Sequence, residues 1–336
     1  MKETLNQNPD KWIMDYFHKK FREHLHAVNE FMIKNLESSV KEVNEVFQWV
    51  ADGGGKMLRP ILVIAVAEAL GSVNQRTITG AALVEIVHIA SLLHDDVIDN
   101  GLLRRGKPAL HRIWGNTIAI LTGDSLLSKG IRLAVTHKEW DFLNYLSIAV
   151  EQITEGEIME QSCVASKNAI PEVSTERYIE IVKKKTAVLL ATATVIGALS
   201  TNTITDTYHL NKLWNYGINL GIAFQISDDM IDLLPHQLTH KSSYSDLKSG
   251  IPSFPIVVAL KYPHIKEKLI RLITGNDYEG AVRLLNSPEI ISEYTKHIVS
   301  FIEEANANLS DGFPAPLIET SRMLGEWILS RYPIKI

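Results

Sequence analysis

Apolar residues recur three and four positions apart along most of the chain. From Trp12 to Val50 the series Phe17, Phe21, Leu25, Val28, Phe31, Met32 and Leu36 has this spacing, which predicts one long amphipathic helix. Asp52-Gly53-Gly54-Gly55 breaks the pattern, because glycine readily adopts the backbone angles that end helices. Pro60 suits the first turn of the next helix, which continues through the apolar run Ile61 to Ala67 and stops at Gly71. Thr79 to Asn100 reads as a long apolar helix ending at Gly101, followed by a polar loop from Leu102 to His111. Further helical stretches are predicted over about 116–135, 141–162, 174–199, 207–233 and 253–262. No alternating strand pattern, βαβ rhythm or Pro- or Ser-rich linker appears. The expected fold is therefore all-α, with residues 1–336 forming one domain.

Composition changes this picture little. Of the 336 residues, 46% are hydrophobic and 22% charged, so the chain can build a large core. The net charge of −5 gives no overall field for nucleic acid, so an anion site must come from local basic clusters. The single cysteine, Cys163, rules out an intrachain disulfide and fits a reducing cytoplasm. A lone cysteine is most often a small core residue. The N-terminal MKETLNQNPDKW lacks the apolar run of a signal peptide. Ile61 to Ala67 is too short for a bilayer crossing, which takes roughly 20 residues. A cytoplasmic protein without a transmembrane segment is expected.

The main chemical signal is a repeated acidic cluster. Asp95-Asp96-Val97-Ile98-Asp99 and Asp228-Asp229-Met230-Ile231-Asp232 both read DDxxD, 133 residues apart, and each follows a strongly apolar helix. On a helix the first and last aspartates share a face. One such motif alone is most simply a solvated helix end. Two, each emerging from an apolar helix, need partners for their carboxylates. Hard oxygen ligands at this spacing suit Mg²⁺, which keeps waters and binds substrate phosphates as well.

Basic segments supply the counterpart. Gly55-Lys56-Met57-Leu58-Arg59-Pro60 places two cations three apart, Leu103-Arg104-Arg105-Gly106-Lys107 follows the first acidic motif, and Lys183-Lys184-Lys185-Thr186 gives a third cluster. Arginine forks and lysine point charges both hold phosphate oxygens. Each patch alone reads as solvated surface; with the aspartates they can hold a metal-bridged diphosphate. Gly53-Gly54-Gly55-Lys56 lacks the spacing of a Walker loop. His88 lies seven residues, about two turns, before Asp95 and shares its face.

GGGKMLRP, HIASLLHDDVIDNGLLRRGKP, Gly123-Asp124, Glu155-Gly156-Glu157, Lys185-Thr186-Ala187 and GIAFQISDDMIDL occur in this order. From about 53 to 262 the chain thus resembles the trans-isoprenyl (polyprenyl) diphosphate synthases, in particular medium- and long-chain members such as the catalytic subunit of hexaprenyl or heptaprenyl diphosphate synthase. The resemblance implies a helical barrel or bundle around a deep central cavity, with the two DDxxD motifs facing each other at its mouth. It implies a prenyltransferase that condenses isopentenyl diphosphate with an allylic diphosphate, of the kind that makes quinone side chains. Asp95, Asp99 and Asp228 would contact Mg²⁺, supported by Asp96, Asp229 and Asp232. Lys56, Arg59, His88 and Arg105 resemble the isopentenyl diphosphate site. Arg104, Lys185, Thr186, Gln225 and Lys241 resemble the allylic site.

Terpene cyclases of the same fold usually lack the second DDxxD and the GGGK segment, and degenerate regulatory subunits lose the aspartates. The chain departs from the family at His240, Tyr244 and Ile251, where glycine, glycine and lysine are frequent; this implies either a weaker allylic grip or a loop from Pro235 to Gly250 that orders only with substrate or partner. Ala90 and Ser91 stand where a bulky aromatic blocks the cavity in short-chain members, and the first motif lacks the two-residue insertion typical of bacterial farnesyl synthases. The resemblance therefore implies roughly six to eight isoprene units, the helix leaving the tail an open path below Asp95. The alternatives are a short-chain farnesyl or geranylgeranyl product, or a subunit active only with a partner. A homodimer, or a heteromer with a small regulatory subunit, is the implied assembly.

Overall fold

The computed structural model describes residues 9–51, 55–166, 169–234 and 244–332. These residues are almost entirely helical, as expected, and their only strands form one two-residue pair.

The stretch expected as one N-terminal helix is three: α1 (Pro9–Lys20), α2 (Arg22–Leu36) and α3 (Lys41–Ala51). The first break is only a kink, since Phe21 is fully buried and still donates its N–H to Phe17 O at 2.9 Å. The second is a true interruption. Asn44 accepts the Ser38 N–H at 2.8 Å and donates back to Ser38 O at 2.7 Å. Such side-chain bonds compete with the helical ladder.

In α4 (Leu58–Leu70), Pro60 lies in the first turn and Gly71 closes the end, donating to Ala67 O at 3.0 Å. Helix α5 (Gln75–Ile98) opens on a capping box in which Asn74 and Thr77 satisfy each other's backbone N–H groups. By length and composition α5 could cross a membrane, but 72% of its most apolar window is buried inside the protein. It is a core helix.

The loop after α5 contains a hairpin that alternation could not reveal, since β1 (Leu103–Arg104) and β2 (Lys107–Pro108) are two residues each. They pair antiparallel, Leu103 with Pro108 and Arg104 with Lys107. Arg105 (φ 54°) and Gly106 (φ 77°) make the turn with both residues left-handed, the geometry that matches strand twist in a two-residue hairpin.

Then come α6 (Leu110–Trp114), α7 (Asn116–Thr136), α8 (Trp140–Gln161) and α9 (Thr175–Val182). A π turn (Lys183–Ala187) leads into α10 (Val188–Thr201) and α11 (Thr207–Asp232). The sequence pattern read 174–199 as one helix and missed this turn. The C-terminal part adds α12 (Ser245–Ser249), α13 (Phe254–Ala259), α14 (Pro263–Thr274), α15 (Tyr278–Leu285), α16 (Pro288–Leu309) and α17 (Ala315–Ser330).

Two helices explain how the site is placed. Every residue from Pro60 to Ala67 in α4 and from Val188 to Ser200 in α10 is buried. Helices apolar all round must lie inside. Helix α10 packs against α4, α5 and α11. It thereby fixes the two helices whose last turns carry the aspartate clusters.

Candidate active site

The first cluster divides into one structural and two available carboxylates. Asp96 points inward, 4% exposed, and accepts the Arg104 Nε–H at 2.9 Å together with a second guanidinium N–H. The hairpin is thus clamped to the end of α5. Asp95 and Asp99 differ, since burial and neighbouring charges dominate their chemistry. Burial pushes Asp95 up to about 7; Lys185 works against this, while Glu157 and Asp99 add to it. Asp99 is raised chiefly by burial, with Glu157 and Asp96 adding to it and Lys185 and Arg104 opposing.

Lys185 comes from the π turn, a feature that often marks functional sites. Its ammonium is 2.7 Å from Glu157 and also contacts Glu160. Burial disfavours its charge, but Glu160, Asp95 and Glu157 outweigh this and raise its pKa. Gly156 allows the approach: a Cβ there would lie 2.6 Å from Lys185 N. The Glu155-Gly156-Glu157 motif therefore has a physical meaning. Its glycine brings α8 against the π turn, and its last glutamate holds the lysine.

The second cluster is more heavily engaged. Asp229 is buried and accepts from Tyr178 OH at 2.7 Å, Gln225 Nε2 at 2.8 Å and Phe254 N at 2.8 Å. Burial still pushes it up to about 7. Thr186 donates to Gln225 Oε1 at 2.8 Å, so two residues expected at the allylic site form a chain ending on Asp229. Asp228 binds Arg331 at the end of α17. Asp232 accepts the Asp246 N–H at 3.3 Å. Tyr244, which stands where glycine is frequent, has φ 64°, a conformation that costs glycine least.

The basic residues near His88 form a second group. Arg59 is deeply buried; burial lowers its pKa to about 10 while Glu85 and Asp228 raise it. Arg105 is lowered by burial and supported by Glu85. Its guanidinium lies over Gly55, where a Cβ would be 2.7 Å from Nη2. His88 is held well below its ordinary value, first by burial and then by Arg59 and Arg105. It is therefore a neutral imidazole at neutral pH. Glu85 is 2% exposed, and its Oε2 has no hydrogen-bond partner, nor does Arg59 Nε. Lys56 lies 5.0 Å from the Trp327 ring. Ala90 is fully buried and Ser91 half-buried, its hydroxyl donating to His88 O at 2.9 Å. Lys241 and His240 lie outside the described residues.

The oxygen-only donor set of Asp95 and Asp99 fits a hard cation such as Mg²⁺. Among the described residues no three His, Cys, Asp or Glu side chains are gathered as a ready-made metal site. A cation there would complete its shell with water and phosphate oxygens, as Mg²⁺ does in phosphate-handling sites. Glu85, Glu160, Tyr178, Trp327 and Arg331 escaped the sequence reading. Glu85 and Glu160 had a usable signal, each three residues from a recognised one, His88 and Glu157.

The Polyprenyl synthetase family profile matches residues 40–286. The chain belongs to this family. Among its relatives, the geranylgeranyl diphosphate synthase of Saccharolobus solfataricus is 34% identical over 87% of this chain and 88% of its own length. The octaprenyl diphosphate synthase of Escherichia coli is 32% identical over 70% and 72%. The crystal structure of a polyprenyl synthase from Caulobacter crescentus, complexed with calcium and isoprenyl diphosphate, superposes with a TM-score of 0.86 at 29% identity. It covers 95% of this chain and 98% of that one. This polyprenyl synthetase is thus a prenyltransferase with the all-α isoprenoid synthase fold.

The raised Asp95 carboxyl makes a pH prediction for the metal-free synthase. Its folded value is about 7 against 3.8 ordinarily, so the folded state retains a proton that the unfolded state releases between. Stability from this group is therefore lost as pH rises from about 4 to about 7. With chelator present, the melting temperature of wild type should fall relative to Asp95→Asn between about pH 4 and about pH 7 and run parallel above it. Parallel melting curves for the two proteins across that window would refute this assignment.

Proposed function

We propose that this synthase condenses isopentenyl diphosphate with an allylic diphosphate and extends the product to roughly six to eight isoprene units, the small Ala90 and Ser91 leaving the tail a path below the aspartates. The observation that carries the reading is that two groups of buried cations stand among the aspartate clusters: Lys185 acts on Asp95 and Asp99, while Arg59 and Arg105 share Glu85 and have Asp228 and Asp96, respectively, as further charged neighbours. Two cationic groups suit two diphosphates. The calcium and isoprenyl diphosphate in the Caulobacter crescentus structure support the same ligand chemistry.

In this reading Mg²⁺ at Asp95, Asp99 and Asp228 supplies charge neutralisation on the leaving diphosphate. Lys185, Arg104, Thr186, Gln225 and Lys241 hold the allylic diphosphate, and Asp229 orients Gln225 and Thr186. Lys56, Arg59, His88 and Arg105 hold isopentenyl diphosphate. The allylic C–O bond breaks and its electrons leave with the diphosphate. The isopentenyl double bond then forms the new C–C bond to the allylic carbon, and one proton passes to the released diphosphate. Neutral His88 serves as a hydrogen-bond donor, and no histidine base is needed. The apolar walls protect the cation from water.

Relatives of nearly equal identity have names for geranylgeranyl and octaprenyl products, so length is argued from the site. The chain alone should be incubated with labelled isopentenyl diphosphate and primers of several lengths, and its products separated by chromatography. A product ending at three or four units would overturn the length. Condensation only after adding a second subunit would overturn its self-sufficiency.

The two cationic groups also separate by mutation. Arg105→Ala should raise KM for isopentenyl diphosphate, and Lys185→Ala should raise KM for the allylic substrate, each by about tenfold or more for loss of one charged phosphate contact. Steady-state kinetics with each substrate varied in turn checks this, and the reverse pattern would remove the assignment.

A further inference from the structure

Beyond the recognised motifs, the end of α17 supplies one of the most buried cations of the site. Arg331 directly follows Ser330, and its side chain is 6% exposed. Its guanidinium lies 4.4 Å from the Phe224 ring and 5.0 Å from the Trp327 ring. One terminal nitrogen donates to Asp228 Oδ1, the other to Phe224 O at 3.4 Å, and Nε finds no partner. The segment is anchored on both sides. Trp327 is fully buried, and Tyr332 is 7% exposed with its hydroxyl donating to Asn286. The Tyr332 ring also meets Tyr294 at 5.8 Å.

This makes the two aspartate clusters unequal. At the first, Arg104 is hydrogen-bonded to Asp96, and it acts on Asp95 and Asp99 as a neighbouring charge together with Lys185, which is itself bonded to Glu157 and Glu160. At the second, the leading carboxylate already carries a guanidinium in direct contact. A divalent cation arriving at Asp228 would meet a fixed positive charge within a few ångströms, at low dielectric. It could not share the carboxylate without repulsion from Arg331.

We propose that Arg331 is the resident counter-cation of the second cluster, a positioning residue that keeps Asp228 from a divalent cation until the arginine moves away. Metal then loads in order. Asp95 and Asp99 take a cation in the substrate-free protein, and Asp228 takes one only after Arg331 has left it. The inference rests on the reading of the aspartates as metal ligands.

The test is a Mn²⁺ titration of the full chain without substrate, followed by paramagnetic resonance to count bound ions. Wild type should bind at the first cluster, and Asp228→Asn should leave that binding unchanged. Arg331→Gln, which keeps much of the aromatic packing, should gain an additional site or tighten the second by about tenfold, as expected when a neighbouring buried charge is removed. Arg331→Lys should behave as wild type, and Asp228→Asn in the Arg331→Gln background should lose the gain. Identical binding by wild type and Arg331→Gln would overturn the proposal. So would loss of substrate-free Mn²⁺ in Asp228→Asn alone, which needs no change at Arg331. Absence of Mn²⁺ from every protein, wild type included, would instead sink the metal reading of the aspartates.

Discussion

Asp95→Ala is expected to lower turnover by about three orders of magnitude, or about 4 kcal/mol of transition-state stabilisation at about 1.36 kcal/mol per tenfold. The reason is that, in the proposed function, Asp95 would supply carboxylate oxygen to the leaving diphosphate's cation. The fold should survive, because burial and the negative charges of Glu157 and Asp99 already oppose the Asp95 carboxylate. Removing it relieves that cost rather than exposing one. Asp229→Ala would look similar in an activity assay but for another reason. It would strand the Tyr178 hydroxyl, the Gln225 amide and the Phe254 N–H, all of which donate to that carboxylate. Each buried donor left without a partner costs about 1–3 kcal/mol. Turnover at saturating Mg²⁺, measured beside thermal melting, tells the two apart: Asp95→Ala should be inactive and stable, Asp229→Ala inactive and less stable. A folded Asp95→Ala protein with near-normal turnover would remove Asp95 from the mechanism.

The same contrast shows what the chain makes legible. Period and motif located α5 and α11 and the aspartates in their last turns, because an apolar helix ending in DDxxD is a local pattern. The π turn was hidden, since the chain keeps a helix-like apolar pattern on both sides of Lys183 to Ala187, and the close approach of Gly156 to the Lys185 backbone is visible only in three dimensions. The partners of the second cluster were hidden by distance along the chain. Tyr178 reaches Asp229 across 51 residues and Arg331 reaches Asp228 across 103. Neither lies near a spacing rule. The similar-looking motifs also receive different treatment. Asp96 and Asp229, the middle aspartates, are structural, one holding a hairpin and the other a hydrogen-bond chain. A pattern of identical letters carries no sign of that division, which depends on which side of each helix faces the core.

Filling the positions one turn below the first cluster should shorten the product. Ala90 lies five residues before Asp95, about 7.5 Å further along α5 at about 1.5 Å per residue, and Ser91 is beside it. The two differ in surroundings: Ala90 has no exposed surface, while Ser91 is half-buried. A phenyl ring at Ala90 must displace packed neighbours or turn toward the open side, at a stability cost of about 1–3 kcal/mol for overpacking. Ser91→Phe can place its ring in accessible space and gives up only a hydroxyl bonded to its own helix. Both variants should stop at about three or four isoprene units, since a packed interior has little room to move aside. Ser91→Phe should melt near wild type and Ala90→Phe below it. The first condensation should persist in both, because Asp95, Lys185 and Arg105, the proposed diphosphate-side residues, are left unchanged. Product chromatography with a short primer, run beside melting curves, distinguishes shortening from unfolding. Wild-type product length from both variants, folded and active, would show that the growing tail does not pass this face of α5.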